Sequence, residues 1–552
     1  MSQTRPTLSE AIAKTIVTHM KARLFKSLLS LWIIVFVAGC AGITQTPSST
    51  PSPTPVPILT PTSIPTSAPL TSSATYWPTQ GWRTSTPEQQ GMDSEMLARM
   101  LENIKTSLHS LLIIRHGYIV TEAYFYPFRQ NDQHMLVCAT KSFLSALTGI
   151  ALNQGYIGDV NQRLLGFFPQ RIAADNDSRK ASITLGYLLA NKSGLAGDDR
   201  AYFEMLQSND WLQFALDLPM SAEPGTRFNY FTINSYLLSA VLQAKIDQGV
   251  EAFAQKNLLE PLGISDAYWG TDPDGRLIPT DLQLSTRDMA KLGYLYLHQG
   301  VWDGQQIVPA EWVAASTQAQ PGTEGYGYQW WVWPFGYAAE GGWEQCIFVI
   351  PEQDMVVVST GGLIGSMCAD TALLIASDII PAATSPEPLP ENLQAAARLE
   401  SLSEQLGQPP APQPIPPLPA TASALAGKTF LLEENALGWQ AFALEFQEPE
   451  AQLTLLFNDQ PQKLIIGLDN VYRITAVEQV AALHYGITLR GPVALKGVWQ
   501  DETTFSATAQ FLNGNVLGLR FSFDQDNVTV RVIDLLRVGF APDQNISGML
   551  QK

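Results

Sequence analysis

Cysteine and histidine are scarce in this chain, with four of the first and six of the second among 552 residues. The histidines are scattered and no H-x-x-x-H or C-x-x-C spacing occurs, so the sequence calls for neither a metal nor a cofactor. Four cysteines, at 40, 138, 346 and 368, are too few for a disulfide scaffold. Charged residues make up only 15% and are lopsided, giving a net charge of −18. Residues 1–39 hold five basic side chains and one acidic, so the remainder sits near −22. Such a surface repels phosphate backbones, which excludes nucleic acid as a partner. The apolar run "SLLSLWIIVFVAG" (27–39) has 13 residues and is short for a membrane-spanning helix. What is plentiful is apolar residues, 45% of the chain, and at this length they imply two or three globular domains.

The 27–39 run fits another purpose. Lys21, Arg23 and Lys26 precede it, as in a secretory signal, and it ends in "VAGC", Val37 to Cys40. Small residues just before a cysteine resemble a bacterial lipobox, which implies cleavage before Cys40 and a lipid on its sulfur. Met20 opens a signal of ordinary length, so residues 1–19 read as an over-extended start. The next stretch, "TQTPSSTPSPTPVPILTPTSIPTSAPLTSS", is proline and hydroxyl residues without charge, an extended spacer with little to bury. The expectation is an exported protein, lipid-anchored on the extracytoplasmic side of a bacterial membrane. It divides into a signal (1–39), a lipidated stalk (40–80), a body (81–385), a Pro-rich linker (386–424) and a last domain (425–552).

The body mixes strands and helices. "SLLIIRHGYIVTEAYF" (110–125) reads as a hairpin turning at His116-Gly117. From Cys138 the period changes: Phe143, Leu147, Ile150 and Ala151 make the stripe of a buried helix. Further helices are expected at 202–217, 234–247 and 285–298, and two strands at 346–362 around Pro351–Asp354. This order implies an α/β sheet with packed helices. Residues 425–552 alternate strand-like, with Phe442, Leu444 and Phe446 in one run and Val528, Val530 and Val532 in another. A small antiparallel barrel or sandwich is expected there.

Cys138 and Lys141 are three apart on a helix, so sulfur and ammonium can meet. A first-turn nucleophile also feels the positive end of the helix. The oxygen version of this pair, Ser-x-x-Lys, lets a lysine activate a weak nucleophile for acyl transfer. C-x-x-K alone is a weak signal, but its surroundings are not. "GWRTSTPEQQGMDSEMLARMLENI" (81–104), "ATKSFLSALTGIALNQGYI" (139–157), "ITLGYLLANKSGL" (183–195), "GTRFNYFTINSYLLSAVL" (225–242) and "STRDMAKLGYLYLHQGVWDGQQIVPAEWV" (285–313) resemble the penicillin-recognising serine hydrolase family. That family includes class C β-lactamases, DD-peptidases, related esterases and 6-aminohexanoate-dimer hydrolases. The resemblance implies a β-lactamase-like sheet with a helical lobe and a site between them. It places the nucleophile at Cys138, the lysine at Lys141 and the Tyr-x-Asn box at Tyr230-Phe231-Thr232. Tyr230 would carry a proton to the leaving group, and Thr232 keeps a hydroxyl where the box has an amide.

Two departures stand out: a cysteine replaces the nucleophilic serine, and the third box reads "YAAEGGWEQCIFVIP" (337–351), with Trp343 and Glu344 where the family tends to have glycines. Gly342 and Gln345 bracket the segment expected to offer a backbone N–H to a substrate oxyanion beside that of Cys138. A thiol ionises more readily than a hydroxyl, and an adjacent ammonium favours the thiolate, so Cys138 and Lys141 form a competent pair in principle. Sulfur is also larger, and misplacing an attacking atom by ~1 Å can cost ~100-fold. Three readings stand. The first is hydrolysis of an ester, amide or peptide through Cys138, with a small acyl or peptide substrate and a monomeric protein. The second is a silent family member binding a wall fragment or acyl ligand. The third is a redox thiol, Cys138 pairing with Cys346; a Cys346–Cys368 disulfide would instead leave Cys138 free. His134 lies one turn before Cys138, but the matching blocks argue against a papain-like Cys–His pair and for an exposed or packed His134.

Overall fold

The computed structural model describes residues 76–551, apart from 105–106, 172–176, 363–366, 483–487 and 536–543. The expected signal, the lipidation site Cys40 and all but the last residues of the stalk therefore lie outside the described residues. Among the described residues no helix is long and apolar enough to cross a membrane.

The hairpin read at 110–125 forms as Leu108–Arg115 against Tyr118–Tyr124, because His116 and Gly117 both take positive φ (50° and 79°) in the tight turn. It joins a seven-stranded sheet. Tyr118–Tyr124 is followed by Leu108–Arg115, then Met355–Gly361, Gln345–Ile350, Gly336–Gly341 and Trp331–Trp333. All these neighbours are antiparallel; only the short edge strand Arg83–Thr84 pairs parallel. The helix Thr286–Leu297 lies on this sheet, and Gly293 lets it approach: a Cβ there would meet Val356 at 2.7 Å and Ile347 at 2.9 Å.

The helical lobe holds Thr140–Asn153, buried along nearly its whole length, and Thr232–Lys245, which packs on it. The helix expected over 202–217 is two, Asp199–Leu206 and Trp211–Asp217. Asp210 breaks the run: its carboxylate accepts the N–H of Gln213 and starts the second helix afresh.

The linker at 386–424 is only partly a linker. Leu393–Leu406 is a 14-residue helix lying against Ser94–Asn103, with Arg398 bridging Glu95 and Glu102. The Pro-rich stretch beyond it is tied down too, since Gln413 N–H donates to Asp469 O and Ile415 and Leu418 pack on the last domain.

That last domain is a barrel, not a sandwich. Among the described residues, nine of the strands from Thr429–Leu432 to Gln544–Leu550 form a ring that closes where Ile466 and Gly467 pair with Leu495 and Lys496. The alternation is as expected: Val528, Val530 and Val532 point into the core, and Thr529 and Arg531 point out. Its core continues into the body, where Met135 and Val137 belong to it.

Candidate active site

Cys138 lies in the short 3₁₀ turn Val137–Ala139 that leads into Thr140–Asn153. Lys141, one turn on, is 1% exposed. Its Nζ donates to three acceptors: Cys138 Sγ at 3.4 Å, Tyr230 Oη at 2.9 Å and Thr232 Oγ1 at 3.0 Å. It also sits 4.1 Å from the centroid of the Tyr230 ring. A buried ammonium needs its hydrogens satisfied, and three acceptors do that. The structure thus brings together Cys138, Lys141, Tyr230 and Thr232, from segments about ninety residues apart in the chain.

Tyr230 and Thr232 flank the start of Thr232–Lys245, and the turn there is held by Asn191. The side-chain oxygen of Asn191 accepts the N–H of Phe231 (3.1 Å) and the amide of Asn234 (2.9 Å). Thr232 Oγ1 donates onward to Asp199 Oδ1 at 3.0 Å, placing an exposed carboxylate at the rim. Neither Asn191 nor Asp199 stood out in the sequence; Asn191 lies in the matching block 183–195 and was the more discoverable. Tyr230 is flanked by residues of the aromatic segment 326–333: Trp331 stacks on it at 5.5 Å and Tyr326 meets it edge-on at 5.7 Å. Trp330, between them, is wholly core.

Burial pushes the Tyr230 hydroxyl well above the usual tyrosine range, and the negative end of Cys138 and the neighbouring Tyr326 push the same way. Tyr230 rests as a phenol.

The third box borders the turn that carries Cys138. Gly341 is pressed against it: a Cβ there would sit 2.2 Å from Leu136 O and 3.1 Å from Ala139 N, so only glycine fits. Gly342 has open space above it. Trp343 and Glu344 then take positive φ (61° and 70°), a region non-glycine residues rarely adopt. Glu344 is fully buried, and its carboxylate accepts Thr371 Oγ1 (2.6 Å), Thr371 N–H (3.2 Å) and Asp370 N–H (3.3 Å). It caps the helix Ala369–Leu374 and does not face the cleft. Gln345 is turned inward as well. It is 2% exposed, and its amide donates to Trp343 O and Gly361 O, so its side chain serves the loop instead of a ligand.

Cys346 is bonded to Cys368, 22 residues on. This corrects the redox reading: its partner is taken, and Cys138 is the free cysteine among the described residues. Of the two settings expected for His134, exposed or packed, the structure shows the packed one. It is buried beside His109, with Nε2 and Nδ1 3.1 Å apart, and Phe128 stacks on His109. Among the described residues no cluster of three or more His, Cys, Asp or Glu side chains is arranged to hold a metal.

Residues 98–360 match the Beta-lactamase family model, in line with the family that the motifs resemble. Similar solved structures include a putative 6-aminohexanoate-dimer hydrolase from Bacillus anthracis, 17% identical over 57% of this chain and 90% of that one, with a TM-score of 0.47. The octameric penicillin-binding protein homologue from Pyrococcus abyssi is 17% identical over 82% of this chain and 97% of its own, with a TM-score of 0.42. A penicillin-binding protein homologue from Caulobacter crescentus is 14% identical over 53% and 98%, with a TM-score of 0.42. No curated protein matches.

Proposed function

We propose that this protein is an acyl-transfer hydrolase of an ester, amide or peptide, working through Cys138 and carried on a lipid anchor at Cys40. The observation that supports it is the single ammonium of Lys141 shared among Cys138 Sγ, Tyr230 Oη and Thr232 Oγ1. Cys138 and Lys141 start as a thiolate–ammonium pair. The sulfur attacks the carbonyl carbon, and the carbonyl π electrons move to its oxygen, which faces the N–H groups of Cys138 and Gly342. As the tetrahedral adduct collapses, the bond to the leaving group breaks and that group takes the Tyr230 proton. Lys141 returns a proton to Tyr230 and is left neutral. Water then attacks the thioester, gives a proton to Lys141 through Tyr230, and releases the acid with the thiolate restored. Burial of Tyr230 suits this order, since a phenol is needed first.

A second reading, a silent member that binds without turnover, is favoured by the third box, where Glu344 is spent on a helix cap and bulky Trp343 stands beside Gly342. Hydrolysis of a panel of activated esters by the unit Trp77–Lys552 separates the two. Turnover that vanishes in Cys138→Ala supports the cysteine enzyme. An inert native protein beside an active Cys138→Ser variant means that sulfur has silenced a sound site. If all three are inert, the hydrolase reading falls and the silent-member reading is the one left to test with ligands.

A further inference from the structure

Residues 135–139 form a wall shared by two cores. Leu136 and Ala139 point into the β-lactamase-like core, whereas Met135 and Val137 point into the barrel core and Cys138 packs against it. The backbone splits the same way. Met135 N–H donates to Asn513 O of the barrel at 3.0 Å, and the next N–H, of Leu136, donates to Leu282 O of the body at 2.8 Å. Asn513 belongs to the tight turn after strand Thr504–Phe511, shaped by its own side-chain oxygen, which accepts the N–H (3.3 Å) and amide (3.0 Å) of Asn515. Gly514, at φ 103°, lets that turn close against His134.

Val137 then carries the unusual feature. It is β-branched, it immediately precedes the reacting cysteine, and its φ is 48°. Such a residue holds this conformation only where its surroundings over-determine it. Here the surroundings are the barrel, which buries the Val137 side chain to 8% exposure. The barrel also meets the other walls of the site: Trp343 of the third box and Phe203, on the helix that carries Asp199, both pack on its core.

We propose that Val137 and the barrel turn at Asn513 are positioning residues: the barrel holds the turn before Cys138 in its strained form and so sets the sulfur against Lys141. The inference rests on Cys138 being the reacting atom, but its test needs no substrate. In the full chain, the rate of alkylation of Cys138 by iodoacetamide is read from the mass of its peptide, beside the thermal midpoint and ester turnover. Val137→Gly frees the strained φ and removes the anchor together. Its midpoint should stay near the native one, while alkylation slows about tenfold or more as the sulfur drifts from the ammonium. Val137→Ile, which keeps the anchor, should restore the native rate. Asn513→Ala, in the other domain and away from the reacting atoms, should slow alkylation in the same sense; if it fails to fold, the Val137 pair decides alone. A Val137→Gly rate equal to or above native overturns the proposal. Alkylation that follows the expected pattern without ester turnover in any variant leaves the positioning role standing and removes the hydrolase reading. Native alkylation in Val137→Gly with turnover intact does the reverse.

Discussion

Replacing Lys141 by methionine tests the centre of the site. The two side chains have similar length, so packing is kept while the charge goes. At the Cys138–Lys141 separation of 3.4 Å, opposite unit charges in an effective dielectric of ~20 attract by ~5 kcal/mol. Cys138 is only partly buried, and solvent screening reduces this by about half, to ~2 kcal/mol. At ~1.4 kcal/mol per decade that caps the loss in Cys138 alkylation at about 30-fold. Stability should move by no more than ~2 kcal/mol. The fully buried ammonium carries a desolvation penalty that its loss relieves, while Thr232 keeps its bond to Asp199. The assay is iodoacetamide labelling followed by peptide mass, with a thermal melt as the control. An alkylation rate within threefold of native, in a protein that melts normally, refutes the idea that this ammonium sustains the thiolate.

Tyr230→Phe removes one of three acceptors of Lys141 and leaves the other two, so alkylation should hold within about twofold while ester turnover falls by ~100-fold or more; equal loss in both would make Tyr230 structural. The pair Cys346→Ser and Cys368→Ser opens a closure of 22 residues and should cost ~3 kcal/mol by chain entropy, read as a lower thermal midpoint; an unchanged midpoint would rule out the constraint. Acid should loosen the contact between body and barrel. Burial pushes His134 down to about 3 from 6.5, so the unfolded chain binds the proton first. The stabilising difference is present above pH ~6.5 and lost as pH falls toward ~3, about 2 kcal/mol of it between pH 7 and 5. Thermal midpoints across that range should fall, and less steeply in a His134→Leu variant; parallel slopes would exclude His134.

The sequence made the body and the cluster of Cys138, Lys141, Tyr230 and Thr232 legible for one reason: the information is local. Cys138 and Lys141 share a helical turn, and Tyr230 and Thr232 share the next segment's start, each inside a block that can be read without knowing what it touches. The third box resisted because its meaning lies elsewhere. Glu344 looks like an intruder in a glycine segment until Asp370 and Thr371 place their N–H groups on it, over a contact 26 and 27 residues long. Asp199 was illegible for the same reason, since only Thr232 gives it a place. The helix Leu393–Leu406 was hidden by composition: prolines at 390 and 409 flank a proline-free run, with Asn392 as cap and Gly407 as stop. That spacing was readable. Met135 and Val137 were apolar residues in an apolar segment, and nothing local tells which of two cores an apolar side chain enters.

The closure of the barrel sets an order of events. Strand Gln544–Leu550 lies between Thr429–Leu432 and Asn527–Asp534, so the ring cannot be completed before residue 550 exists. The sheet of the body needs the chain only as far as Gly361. During synthesis the segment bearing Cys138 is therefore housed on one side long before its other side is walled. Cys138 is an early part of the chain whose second wall is complete only once Gln544–Leu550 has been made.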